Sequence, residues 1–220
     1  MNGLLSLISR SWKKQIGETE VSILSPFEIG GLKSPEYLAL NPEGKMPLLV
    51  DGTTSLAVPE SDTICRLLMH EYQSKGPTFL PNNVKSNLIA RIHDIYISPI
   101  QGCLYKAAPP FGVFSTRSKA IVELRRQLEI IDGILDEKCT PYMLGDEVSY
   151  GDATLFPTLV FIKHMLPKFG VPEAEVLPSK LASWYSTVLA SDLDFAKVHA
   201  EVGCANATLS KMSITLNMSS

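Results

Sequence analysis

Short apolar runs of strand length mark the first third of the chain, and apolar stripes at helical spacing mark the rest. Leu4, Leu5, Ile8 and Trp12 fall on one helical face, with Arg10, Lys13 and Lys14 outside it, and Gly17 is a natural stop. Glu20 to Leu24 reads as a short strand, residues 28–31 as loop, and Ser34-Pro35-Glu36 as the cap of a helical turn reaching Leu40. Pro47 opens the run Leu48-Leu49-Val50. Asp51-Gly52 then signals a two-residue hairpin turn, with a returning strand from about Thr54 to Val58. Pro59 ends that strand, and Ile64, Leu67, Leu68 and Tyr72 place a helix from Ser61 to about Gln73.

Residues 74–83, SKGPTFLPNN, are rich in turn formers and read as a linker, with Phe79 docking it against the domain it follows. Everything beyond reads as helix. Asn83 to about Tyr105 carries Leu88, Ile89, Ile92, Ile95 and Tyr96 as one face, with a kink expected at Pro99. After Pro109-Pro110, a helix from about Ser115 to Glu137 bears the cleanest stripe: Ile121, Leu124, Leu128, Ile131 and Leu135. Ser149 and Asp152 form a capping box ahead of the apolar segment Ala153 to Leu166. Ser179 to Leu189, with Trp184 and Tyr185 as packing residues, and Asp192 to Ala200 complete a bundle. The segment 201–220 is rich in Ser, Thr, Asn and Met, shows no sustained period, and is expected to be disordered.

Candidate chemistry concentrates between Asn41 and Leu68. Ser61 offers a hydroxyl and an amide at a helix start, where free donors and the helix dipole favour a carboxylate or phosphate. A serine there also serves as an ordinary cap. Pro47, at a strand start, is an ordinary trans proline or a cis one. A cis bond there has Met46 turn its backbone N–H and C=O toward an extended peptide lying alongside.

The run NPEGKMPLLVDG followed by PESDTI resembles the glutathione-binding half of the cytosolic glutathione transferases, and the resemblance extends from about Leu5 to His199. It implies an α/β thioredoxin-like N-terminal domain over residues 1–73, the linker 74–83, and an all-α helical-bundle domain over 84–200. It further implies that the Met46–Pro47 bond is cis, that Met46 pairs its backbone with the cysteinyl unit of glutathione, and that Glu60 and Ser61 hold the γ-glutamyl group. Lys45 is the expected partner of the glycyl carboxylate. The family's fold opens with a strand that the two or three residues before Leu4 are too few to form, so that first strand is expected to be missing. With it goes the usual active-site Ser, Cys or Tyr; counting back from Gly17 lands near Gly3, and Ser6 is the nearest hydroxyl.

Composition narrows the alternatives. The 220 residues suffice for one large domain or two small ones, and 45% hydrophobic with 20% charged residues is ordinary for a globular protein. A formal net charge of −3 argues against a nucleic-acid binder. No apolar run approaches the ~20 residues a membrane span needs. Cys65, Cys103, Cys139 and Cys204 form no CxxC, and the four histidines show no ligand spacing, so a reducing compartment without a metal site is expected. The basic, Ser-containing residues 1–17 also suit an organelle transit peptide, whereas the family implies a cytoplasmic homodimer.

The resemblance implies a detoxifying enzyme in which glutathione thiolate attacks a small electrophile or exchanges with a disulfide. The electrophile is expected near residues 99–114, against Tyr105, Phe111 and Phe114. The alternative is a non-catalytic module of the same fold that carries ligands or docks a protein partner.

Overall fold

The structure is a computed structural model and describes residues 24–74, 76–80, 82–137 and 141–203. The expected helix before Gly17, the strand at 20–23, Ser6 and the segment beyond 203 lie outside the described residues, as do Cys139 and Cys204. The chain divides into two compact units between Pro77 and Thr78.

In the first unit, residues Pro26–Ile29 form a 3-10 turn rather than open loop. Ser25 caps it by accepting from the Phe27 N–H, and the Glu28 carboxylate accepts from the Ser25 N–H. Helix α1 (Pro35–Leu40) starts at Ser34, whose hydroxyl oxygen accepts the Tyr37 N–H at 3.1 Å. Strands β1 (Leu48–Val50) and β2 (Ala57–Pro59) pair antiparallel, with Leu48 opposite Pro59 and Val50 opposite Ala57. The connection is a six-residue loop, 51–56, not the two-residue turn that Asp-Gly suggests. The Asp51 side chain is the reason. Its carboxylate accepts the Thr53 N–H at 2.7 Å, the Thr54 N–H at 3.3 Å and the Thr54 hydroxyl at 2.8 Å. Those bonds wind the chain past Gly52 before it returns, and they hold the Asp51 carboxyl below its usual range, the Thr53 amide foremost. Helix α2 (Ser61–Glu71) buries Ile64, Cys65 and Met69 and carries an Asp62–Arg66 ion pair at 2.8 Å on its open side.

The second unit is helical throughout. Helix α3 (Val84–Ile92) is capped by Asn83, whose carbonyl oxygen accepts the Ser86 N–H. A continuous helix to Tyr105 does not form. A π turn over His93–Ile97 follows, then a 3-10 turn over Gln101–Leu104, so the helix breaks ahead of Pro99. The extra residue of the π turn re-phases the apolar stripe. Ile89 and Ile92 are buried, whereas Ile95 and Tyr96 stand 46% and 51% exposed; Leu88, ahead of the turn and untouched by it, is also 46% exposed. Helix α4 (Arg117–Ile134) buries Leu124, Leu128 and Ile131 as its periodicity predicts.

Helix α5 (Tyr150–Met165) is the centre of this unit and is buried on nearly every side. Gly151 donates its N–H to the Ser86 hydroxyl at 2.9 Å, and His93 Nε2 meets the Thr158 hydroxyl at 2.8 Å. The equal sequence offset of these two pairs means that α3 and α5 run side by side in the same direction. Helix α6 (Ser179–Ser191) supplies Trp184 and Tyr185. Their rings pack on Phe156 of α5, edge-on for Trp184 and stacked at 5.1 Å for Tyr185. Residues 193–203 are helical, beyond the expected end at Ala200, with the Asp192 carboxylate accepting from the Asp194 N–H at 2.8 Å. Phe79 is a core residue of this helical unit: it is buried, and its carbonyl accepts the Tyr150 N–H at 2.8 Å.

The predicted capping box is present at the start of α5. Ser149 Oγ accepts the Asp152 N–H and donates to Asp152 Oδ2, which also accepts the Ser149 N–H at 2.9 Å. Asp152 Oδ1 accepts the Met143 N–H at 2.8 Å. Burial raises the Asp152 pKa, opposed by the hydrogen bonds from Ser149 and Met143. Asp152→Ala leaves two buried amides and a hydroxyl without an acceptor. Equilibrium denaturation of this variant is expected to show a loss of about 3–5 kcal/mol, against about 1–2 kcal/mol for Ser149→Ala. Equal losses for the two would show that the carboxylate does no more than the cap.

Candidate functional site

The strand register brings the sequence-predicted site residues to one end of the hairpin. Leu48 pairs with Pro59, so Pro47 on one strand and Glu60 on the other both continue outward from that pair. The Met46–Pro47 peptide bond is cis, as the resemblance implies. Met46 is 62% exposed.

What holds this end in place lies outside the quoted motif residues. The Lys45 carbonyl accepts two hydrogen bonds, from the Tyr37 hydroxyl at 2.6 Å and from Asn41 Nδ2 at 2.8 Å. Asn41 Oδ1 meanwhile accepts the Glu43 N–H at 3.2 Å. Both side chains are buried, so the last carbonyl before Met46 is fixed from beneath. Gly44 completes the turn at φ +61°, and a Cβ there would meet the Leu32 carbonyl at 2.8 Å. Asn41 was visible in the sequence only as turn punctuation. Tyr37 carried no signal beyond its place on a short helix.

Glu60 and Ser61 form the start of α2. Glu60 adopts φ +69° and ψ 122°, a conformation that costs a non-glycine residue about 1–3 kcal/mol. Its side chain makes no capping hydrogen bond to the helix. The first-turn amides thus lack a capping acceptor from Glu60, and with the helix dipole behind them they suit a carboxylate. Ser61 is half-buried at that turn. Lys45 is exposed and forms an ion pair with Glu43 at 3.4 Å, so an incoming carboxylate competes with Glu43 for it. The structure thus gathers Met46, Pro47, Glu60 and Ser61 at one hairpin end, with Lys45 beside them in sequence. Ser6 falls outside the described residues.

Neither described cysteine offers a nucleophile here. Cys65, one turn into α2, is fully buried, and burial followed by the Asp62 charge pushes its thiol up to about 12. Cys103 is buried in the helical unit and its pKa is likewise raised by burial. Among the described residues no group of three His, Cys, Asp or Glu side chains is placed to hold a metal ion. No helix among them is long and apolar enough to cross a membrane.

In the helical unit, the residues expected to face the electrophile divide. Tyr105 is 61% exposed and meets Phe161 edge-on, with centroids 6.1 Å apart. Phe111 is buried and belongs to the core, because its backbone closes a bridge with Phe114 that turns its ring inward. Phe114 is half-buried.

Comparison with known sequences decides the family. Residues 9–77 match the model of the glutathione S-transferase N-terminal domain, and residues 114–186 match that of the C-terminal domain. The chain belongs to the glutathione S-transferase family. Among curated relatives of this family it is similar to the glutathione S-transferase-like protein gedE of Aspergillus terreus. The two are 25% identical over 179 residues, covering 76% of this chain and 79% of that one. Among solved structures it resembles a delta-class glutathione transferase of Nilaparvata lugens, with TM-score 0.70, 17% identity, and 96% and 93% of the two chains covered. It also resembles Ure2p in complex with glutathione, with TM-score 0.65, 18% identity, and 90% and 92% covered. The family's architecture is the one described above: a thioredoxin-like α/β unit followed by a helical one.

The strain at Glu60 gives a test of this helix start that needs no ligand. Glu60→Gly removes the steric cost of a positive φ, and thermal unfolding is expected to show unchanged or higher stability, by up to about 1 kcal/mol. Asn41→Ala removes a donor to the Lys45 carbonyl and an acceptor for Glu43. It is expected to cost about 1–3 kcal/mol in the same measurement. Destabilisation by Glu60→Gly would mean that the Glu60 side chain holds the helix start after all.

Proposed function

We propose that the chain is a glutathione transferase in which the hairpin end at Met46–Pro47 and the α2 start at Glu60–Ser61 bind glutathione. The observation that carries this reading is the α2 start itself: a strained, uncapped helix N-terminus beside a strand end whose preceding carbonyl is locked from below. In that pose Met46 pairs its backbone with the cysteinyl unit, and Ser61 with its amide takes the γ-glutamyl carboxylate. Glu60 takes the γ-glutamyl amine, and Lys45 the glycyl carboxylate. The family match and the glutathione named with Ure2p support the same ligand.

The reaction is attack of the glutathione sulfur on an electrophilic carbon: the S–H proton leaves to solvent, a C–S bond forms, and the leaving group departs with its electron pair. Thiol exchange on a disulfide uses the same thiolate. A thiol with pKa near ~8.5 is mostly protonated at neutral pH, so the enzyme's task is to favour the thiolate with nearby donors. The second substrate rests on the helical unit against Tyr105. The protein works as a cytoplasmic homodimer, and the exposed apolar residues Val84, Leu88, Ile95 and Tyr96 offer the face for a second copy.

Calorimetric titration with reduced glutathione tests the site. Wild-type binding is expected, weakened about tenfold by Ser61→Ala through loss of one hydrogen bond to a charged group. No binding by a folded wild type would sink the reading. Binding without turnover of any electrophile or disulfide would make the chain a ligand-carrying or protein-docking member of the family instead.

A further inference from the structure

Arg117 occupies a position that its own helix disfavours. It opens α4 at the positive end of the dipole, with no acidic residue in that first turn. Among the described residues no carboxylate lies within 4.0 Å of its guanidinium. Its charge is met by other means. Nη1 donates to the Cys103 carbonyl and Nη2 donates to the Lys106 carbonyl at 2.8 Å. The guanidinium carbon sits 5.0 Å from the ring centroids of both Phe111 and Phe169. One side chain thus ties the 3-10 turn before Tyr105, the loop after it and the turn that follows α5.

The same loop has a second, independent lock. Phe111 and Phe114 exchange both backbone hydrogen bonds, at 3.0 and 3.2 Å, around Gly112 at φ +61°. A Cβ on Gly112 would meet Ile100 Cγ2 at 2.9 Å. Between the two carbonyls that Arg117 holds, Tyr105 stands exposed, on the segment where the second substrate is placed.

We propose that Arg117 is a positioning residue for the transferase reaction: it clasps residues 103–116 so that Tyr105 presents an aromatic surface to the electrophile, and thereby sets selectivity for flat, apolar electrophiles. This role rests on the transferase reading, whereas the clasp itself does not. Lysine is not equivalent here, since its compact ammonium lacks the planar fork that donates from two separate nitrogens while its central carbon sits near both rings.

The test compares wild type with Arg117→Gln, Arg117→Lys and Gly112→Ala. Amide hydrogen exchange is followed along the chain, and turnover of a chlorodinitrobenzene is measured at varied concentrations of each substrate. Exchange across 103–116 is expected to rise about tenfold in all three variants, with the cores of α4 and α5 unchanged. The KM for the electrophile is expected to rise several-fold while the KM for glutathione stays put, and Arg117→Lys is expected not to restore either readout. Unchanged loop exchange in Arg117→Gln, or rescue by lysine, would overturn the clasp. Equal changes in both KM values, with exchange rising throughout the unit, would reduce Arg117 to a general stabilising residue. A wild type that turns over no electrophile would overturn the transferase reading and the selectivity role with it. The exchange pattern would still decide whether the clasp exists.

Discussion

The buried amino terminus of α5 is the constraint on which the helical unit depends. A helix start leaves its first amides without intrahelical acceptors, and at the surface water supplies them. Here water is excluded, because α5 is enclosed by its neighbours. Each amide must therefore find an acceptor within the protein. Tyr150 uses the Phe79 carbonyl, Gly151 the Ser86 hydroxyl and Asp152 the Ser149 hydroxyl. The Asp152 carboxylate then recruits the Met143 amide. Satisfying one helix end thus fixes the entry of the unit at Phe79, the height of α3 against α5 at Ser86, and the path of the chain arriving through Met143.

The start of α2 has the opposite arrangement, and the contrast separates structure from function. Both helices begin after a polar residue, yet the first amides of α5 meet three acceptors, from Phe79, Ser86 and Ser149, while the Glu60 side chain leaves α2 uncapped. Glu60 also holds a conformation that a glycine would adopt at lower cost. A protein that needed only a stable helix would carry Asp, Ser or Thr in the Glu60 position with an ordinary extended backbone. Local strain coupled to an open helix end is the pattern expected where a ligand completes the hydrogen bonding.

Legibility followed how local the determining contacts are. Ser149 and Asp152 could be read from sequence because the capping box is closed within four residues. The stripe of α4 was legible for the same reason. The 51–56 loop misled because the Asp-Gly signal concerns the backbone, while the Asp51 side chain, bonding two and three residues ahead, decides the path. The face of α3 misled because one π turn shifts every later residue, leaving Ile95 and Tyr96 exposed. The grip of Tyr37 on the Lys45 carbonyl and of Arg117 on Cys103 and Lys106 depends on tertiary approach, and no periodicity announces it.

The balance at Cys65 shows burial outweighing a helix dipole. Its thiol lies one turn inside α2, where the helix dipole alone would favour a thiolate. Burial opposes that, the Asp62 charge adds to the opposition, and the Arg66 charge offsets only part of it. The sum leaves a protonated thiol packed among apolar neighbours. Cys103 lies under the same burial, with the Arg117 charge as a partial offset. Burial thus works against the thiolate at both described thiols, whatever the helix dipole offers.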